Sequence, residues 1–211
     1  MKRTLAITLI LAILLPKRSF SQFYLEPFVG YQKNLNSPKN NMLNTGVQLA
    51  LKLKKYEFLI QVQKSWPQSL SGVDSSFTTN TSLPLSAPAY KTINTSAFTF
   101  AIGNRLKVAG GKTKNSYFIK LYTGVMFQNN AVKYDYDKAN YIILNPDKTI
   151  NVTGLFVSGG FEYMRQIKSN RLFVELNFSS PPSGNIKYPS SFNLMAPVTI
   201  NIGYSIKISK K

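Results

Sequence analysis

Val198-Thr199-Ile200-Asn201-Ile202-Gly203-Tyr204-Ser205-Ile206-Lys207-Ile208 decides how the rest of this chain is read. Successive side chains of an extended strand point to opposite faces. Val198, Ile200, Ile202, Tyr204, Ile206 and Ile208 therefore share one face, and Thr199, Asn201, Gly203, Ser205 and Lys207 share the other. One face is continuously apolar; the other is polar and carries a lysine. A soluble sandwich strand can look like this, so the neighbouring segments decide what the apolar face meets.

Seven earlier segments alternate in the same way. The first lies near 23–32 (Leu25, Val29, Tyr31), the second near 45–53 (Val47, Leu49, Leu51, Leu53) and the third near 56–64 (Tyr56, Phe58, Ile60, Val62). The fourth, near 96–107, offers Phe98, Phe100, Ile102 and Leu106; the fifth, near 116–128, offers Tyr117, Ile119, Leu121, Val125 and Phe127. The sixth, near 153–164, has Leu155, Val157, Phe161 and Tyr163, and the seventh, near 171–179, has Leu172, Val174, Leu176 and Phe178. Connections after the second, fourth and sixth strands are short: Lys54-Lys55, the Gly110-Gly111 region, and Arg165 to Asn170. Those after the odd strands are longer, with 65–93 and 129–150 the longest.

The chain begins with Lys2 and Arg3, an apolar run from Leu5 to Leu15, and small residues around Ser19-Phe20-Ser21. This order is that of an export signal over residues 1–21, with a mature start at Gln22. Lys17 and Arg18 keep a retained anchor open as the alternative, although roughly a dozen apolar residues are too few to span a bilayer. Residues 22–211 form one domain with no run long enough for a spanning helix. A membrane-embedded chain of this kind must close its sheet, because hydrocarbon leaves open edges unsatisfied. Ten residues at about 3.4 Å each, tilted by about 40°, rise roughly 26 Å, which matches an outer-membrane apolar band. Short turns at one end and long loops at the other complete the pattern. The expected fold is all-β: an eight-stranded antiparallel up-and-down transmembrane β-barrel with short periplasmic turns and long extracellular loops.

Charge tests this register independently. Parity set by the apolar residues sends Glu26, Glu57, Glu162 and Glu175 to the opposite face, together with Lys52, Arg105, Lys120 and Lys207. These eight are the expected lumen charge network, and Asp74, Asp135, Asp137 and Asp147 are expected in loops. A charge on a lipid face costs about 2–4 kcal/mol near the midplane, so its exclusion is the rule there. Gly30, Gly46, Gly103, Gly124, Gly160 and Gly203 share the inner face, leaving room for long partners in a narrow lumen. Tyr56, Tyr117 and Tyr163 near the short-turn end suit an interfacial girdle.

On these features the chain resembles the small eight-stranded bacterial outer-membrane barrel families of the OmpA-transmembrane-domain and OmpX kind, closest to the compact barrels of Bacteroidota. Its most specific element is Asn201-x-Gly203-x-x-Ile206-x-Ile208, similar to the terminal signal read by the barrel-assembly machinery. The family often ends on an aromatic residue, whereas Ser209-Lys210-Lys211 follows here.

The formal charge is +18; removing the signal's four basic residues leaves +14. An exported chain rarely meets nucleic acid, so outer-membrane lipids and lipopolysaccharide are the expected neighbours. The chain has no histidine and no cysteine, which removes the usual bases and nucleophiles. No enzymatic activity, cofactor or metal is expected. Gly110-Gly111-Lys112-Thr113 lacks the first glycine of a phosphate loop, since residue 106 is Leu106. Asp135, Asp137 and Asp147 lack calcium-loop spacing. Trp66, Tyr90, Tyr134, Tyr136 and Tyr141 offer the long loops either internal packing or a surface for an extracellular ligand. Lys54, Lys55, Lys107, Lys112, Lys114, Arg165 and Lys168 make the short turns basic. Three functions follow: a monomeric structural or surface-interaction barrel of the envelope, a narrow channel or transport accessory, and a secreted soluble binder of lipocalin type.

Overall fold

A computed structural model describes residues 22–34, 41–53, 56–110, 114–143, 148–183 and 197–208. The expected signal, residues 1–21, lies outside them. The strands are β1 (Gln22–Asn34), β2 (Asn41–Leu53), β3 (Tyr56–Thr78), β4 (Ser86–Ala109), β5 (Asn115–Asp135), β6 (Tyr141–Ile142), β7 (Lys148–Ile167), β8 (Asn170–Ser179) and β9 (Pro197–Lys207). All eight expected strands are present, the sixth to eighth as β7 to β9. β6 is a two-residue addition.

Every pairing is antiparallel, and each long strand pairs with the next long strand along the chain. The last strand returns to the first, with Val29 opposite Ile202 and Tyr31 opposite Ile200. The pairings thus run through all eight long strands and come back to their start. Interior strands of such a ring have partners on both sides, which satisfies their backbone N–H and C=O groups without disulfides.

Two expected loops are largely strand. The 65–93 segment continues the β3–β4 ladder from Gln68 opposite Thr95 to Phe77 opposite Ser86. In the 129–150 segment, β5 runs on to Asp135, and β6 pairs with the far end of β3. These extensions bury mostly small or polar residues, among them Ser76, Ala89, Thr95 and Asn130, so no continuous apolar face marks them and periodicity is blind to them; the backbone ladder and the Ser, Thr, Val and Tyr content carry them. Asp74 and Asp135 accordingly sit in strands rather than loops, Asp137 is in a turn, and Asp147 lies outside the described residues. The β3–β4 register shifts between Ser65 and Gln68, at Trp66-Pro67, where proline has no N–H to give.

The distribution of side chains is inverted relative to a water-soluble sheet. Val29 is 63% exposed, Leu121 61% and Phe161 61%, whereas Arg105 is 0% exposed and Lys120 1%. Packed around the interior charges are Tyr24, Phe28, Phe118, Tyr122, Met126, Met164 and Phe173. Three of these rings face glycines: Gly46 lies under Phe28, Gly103 under Tyr122, and Gly203 under Phe173. An added Cβ at Gly203 would strike the Phe173 ring and lie 2.6 Å from the carbonyl oxygen of Pro27 on β1, at the seam that completes the ring. Gly203→Val is therefore expected to lower unfolding free energy by about 1–3 kcal/mol. The denaturant midpoint, followed through Trp66, the single tryptophan, measures it; an unchanged midpoint would contradict the packing.

Candidate functional site

Strand parity turns one side chain in two inward, and the ring brings residues distant in sequence together. Arg105 of β4 is the hub. Its Nη2 donates to Glu26 Oε1 of β1 at 2.7 Å and its Nη1 to Glu26 Oε2 at 2.9 Å, a bidentate pair. Its Nε donates to Glu57 Oε2 of β3 at 2.9 Å, and Nη1 also reaches Glu162 Oε1 of β7 at 2.9 Å. Lys120 of β5 donates to the other Glu162 oxygen at 2.8 Å and pairs with Glu175 of β8.

Neutral groups complete the network. Gln48 of β2 donates to Glu26, and its carbonyl oxygen accepts from Tyr122 Oη at 2.5 Å. On β9, Asn201 Nδ2 donates to Glu175 Oε1 at 2.6 Å and Ser205 Oγ donates to Glu26 Oε1 at 2.7 Å. All eight long strands therefore supply at least one member. Aromatic faces cover the cations: Arg105 lies over Phe118 at 5.5 Å, Lys120 over Tyr122 at 5.0 Å and Arg171 over Tyr24 at 3.6 Å.

Six of the eight expected network residues are brought together: Glu26, Glu57, Arg105, Lys120, Glu162 and Glu175. Lys52 and Lys207 are half-buried near the ends of β2 and β9; Lys52 stands opposite Glu57 in the β2–β3 ladder, and Lys207 opposite Tyr24 in the β1–β9 ladder. Arg171 is the residue sequence reasoning missed. Its Nη1 donates to Glu57 Oε1 at 2.8 Å, and its Nη2 lies 3.6 Å from Glu26 Oε1. The parity that turns Glu175 inward turns Arg171 inward too, so the signal was present four residues away. Of the proposed assembly-signal residues, Asn201 and Gly203 are buried on the inner face, and Ile206 and Ile208 are exposed.

Four carboxylates and three cations, all out of water, have no group free to act as a nucleophile or base on an outside substrate. Among the described residues no cluster of three or more His, Cys, Asp or Glu could hold a metal. Asp137 caps its own turn: Asn140 Nδ2 donates to it at 2.8 Å and the Ala139 N–H at 3.0 Å, holding its carboxyl below the usual carboxylate range.

No family model matches the chain, and no curated sequence does. Among solved structures, it is similar to a major outer membrane protein from Thermus thermophilus, with a TM-score of 0.51 at 8% identity, covering 89% of this chain and 99% of that one. Weaker likeness extends to Ail, the attachment invasion locus protein of Yersinia pestis, solved with the heparin analogue sucrose octasulfate (0.49, 8%, 89% and 99%). Neisserial surface protein A gives 0.47 at 12% identity, covering 88% and 97%. At such identities the likeness is one of fold: an antiparallel all-β sheet of the outer-membrane barrel type.

Arg105→Met should cost about 3–5 kcal/mol, because it takes the shared cation from three buried carboxylates and leaves four of them against Lys120 and Arg171 alone. Adding Glu57→Gln to Arg105→Met should return part of that loss, with a coupling of about 0.5–3 kcal/mol in a double-mutant cycle on denaturant unfolding. Additive single effects would mean that the two side chains do not interact.

Proposed function

We propose that this chain is a monomeric transmembrane barrel of a bacterial outer membrane, exported by a cleaved signal, with a structural and surface-interaction role. One observation carries the reading: the closed ring of strands has its apolar residues outside and an ion-pair network inside. In water, so large an apolar wall would be a liability, since soluble monomers rarely expose contiguous patches beyond a few hundred Å². In lipid it is the favourable arrangement, and the polar groups belong in the interior. Tyr117 and Tyr163, with ring centroids 5.4 Å apart, stand at the short-turn end, where an aromatic girdle would lie.

The network joins side chains of all eight long strands, and an eight-stranded lumen is narrow enough for side chains to fill, which favours a plug over a conduit. The reading is also non-enzymatic, in keeping with the lack of histidine and cysteine. Surface interaction falls to the β3–β4 hairpin, whose outer part exposes Val73, Phe77, Leu85 and Tyr90, beside Ile142 of β6. Partners on this reading are outer-membrane lipids and lipopolysaccharide, the assembly machinery that reads Asn201, Gly203, Ile206 and Ile208, and an extracellular ligand of the loops. Lys107, Lys114, Arg165 and Lys168, exposed at the short turns, would meet anionic head groups on the periplasmic side; Lys54, Lys55 and Lys112 lie outside the described residues.

Leu121→Arg is the discriminating variant. On a lipid wall it costs about 2–4 kcal/mol and should deplete the protein from the outer-membrane fraction, whereas on a soluble protein it would be tolerated. Wild-type protein in planar bilayers should give no discrete, salt-dependent openings. A freely soluble mature chain would overturn the membrane reading, and regular openings would overturn the plug.

A further inference from the structure

The outer wall is not uniformly convex. A depression of about 580 Å³ crosses four strands near the loop end, lined by Val29, Tyr31, Leu43, Trp66, Ile200 and Ile202. Its volume falls in the roughly 300–1,000 Å³ range of small-molecule sites. Register explains its position. Val29 stands between Ile202 and Thr45, and Tyr31 between Ile200 and Leu43, so their side chains form two adjacent rows on the outward face. Gly30 lies between those rows and contributes only backbone to the floor. Trp66 forms one side, oriented by its Nε1 donating to Thr45 Oγ1 at 3.1 Å.

Two cations border this apolar hollow. Lys64, opposite Thr45, holds its ammonium 4.5 Å above the Trp66 ring. Lys33 follows Tyr31 on the same outward face, one step nearer the loop end, and is exposed. Among the described outward residues of β9, β1, β2 and the first part of β3, up to Trp66, there is no carboxylate. Long lysine stems lie along apolar surface while the charged head seeks polar partners.

We propose that this hollow is a built seat for one anionic, phosphate-bearing acyl lipid of the loop-side leaflet. An acyl chain occupies the Val29–Ile202–Tyr31–Leu43 trough, and the phosphate meets Lys33 and Lys64. The proposal rests on the membrane reading above and deepens it by assigning a particular lipid site.

The test uses the full mature chain, inserted into vesicles of equal dioleoyl phosphatidylglycerol and dioleoyl phosphatidylcholine. Insertion is scored first by flotation. The protein is then extracted in mild detergent, and retained lipids are counted by native mass spectrometry. Wild type should retain one phosphatidylglycerol in preference to phosphatidylcholine. Lys33→Gln with Lys64→Gln should cut that preference by about thirtyfold, roughly fivefold per lysine. Thr45→Trp, which fills the trough from outside, should abolish retention of either lipid, and Lys107→Gln, at the opposite end, should change neither result. Insertion without a retained lipid, or equal losses in the Lys107 control, overturns the seat and leaves the barrel standing. A chain that never floats with the vesicles overturns both.

Discussion

The guanidinium of Arg105 meets carboxylates from β1, β3 and β7, strands separated by as many as 79 residues in its pair with Glu26. Taking such a group out of water costs several kcal/mol unless good geometry repays it. The repayment exists only when the ring is closed, because only then do opposite walls stand close enough for side chains to meet across the axis. Replacing the cluster by apolar residues of equal volume need not weaken the fold. Its larger effect is on register. Side chains alternate with a period of two, so a one-residue slip of any strand would turn its glutamate or cation toward the outer wall. An apolar interior would tolerate that slip far better than four carboxylates do.

Filling the interior around the cluster takes rings as well as charges. Phe28, Tyr122 and Phe173 point inward over Gly46, Gly103 and Gly203 of adjacent strands. Each glycine yields the space its neighbour's ring occupies, and each ring covers backbone that the glycine leaves bare. The inner wall is therefore a mosaic: cations lie on aromatic faces, carboxylates sit between cations, and amides from Gln48 and Asn201 take up remaining lone pairs.

Alternation made both faces of the eight strands legible, and with them six of the eight proposed network members. Legibility failed where the physical driver of alternation stopped. Beyond Trp66 the β3–β4 hairpin buries only small or polar side chains such as Ser76, Ala89 and Thr95, so its Ser, Thr and Gly residues read as loop although the ladder continues to Phe77. Lys52 and Lys207 have the right parity but stay half-buried near the ends of β2 and β9, Lys52 opposite the buried Glu57. Arg171 has both parity and depth, and balances Glu57, which Arg105 alone would have to share with Glu26 and Glu162. The hollow on the outer wall has no sequence signal, since it depends on four strands meeting in register around Gly30.

The location of the acids also reframes the chain's basicity. All four glutamates are inside with three basic residues, Arg105, Lys120 and Arg171; setting aside the four of the expected signal, the sequence has 19 other basic residues against four aspartates. The high net charge is thus no average over a mixed surface; it is what remains once the interior has taken up every glutamate. On the membrane reading proposed above, carboxylates facing anionic head groups would be repelled, while lysines at the rims would reach phosphate by extending their stems. The same segregation that keeps the lumen compact therefore leaves both rims suited to anionic surfaces. Lys33 and Lys64 are where that rim charge meets a shaped apolar surface, so recognition of a particular lipid can arise there from a general electrostatic bias.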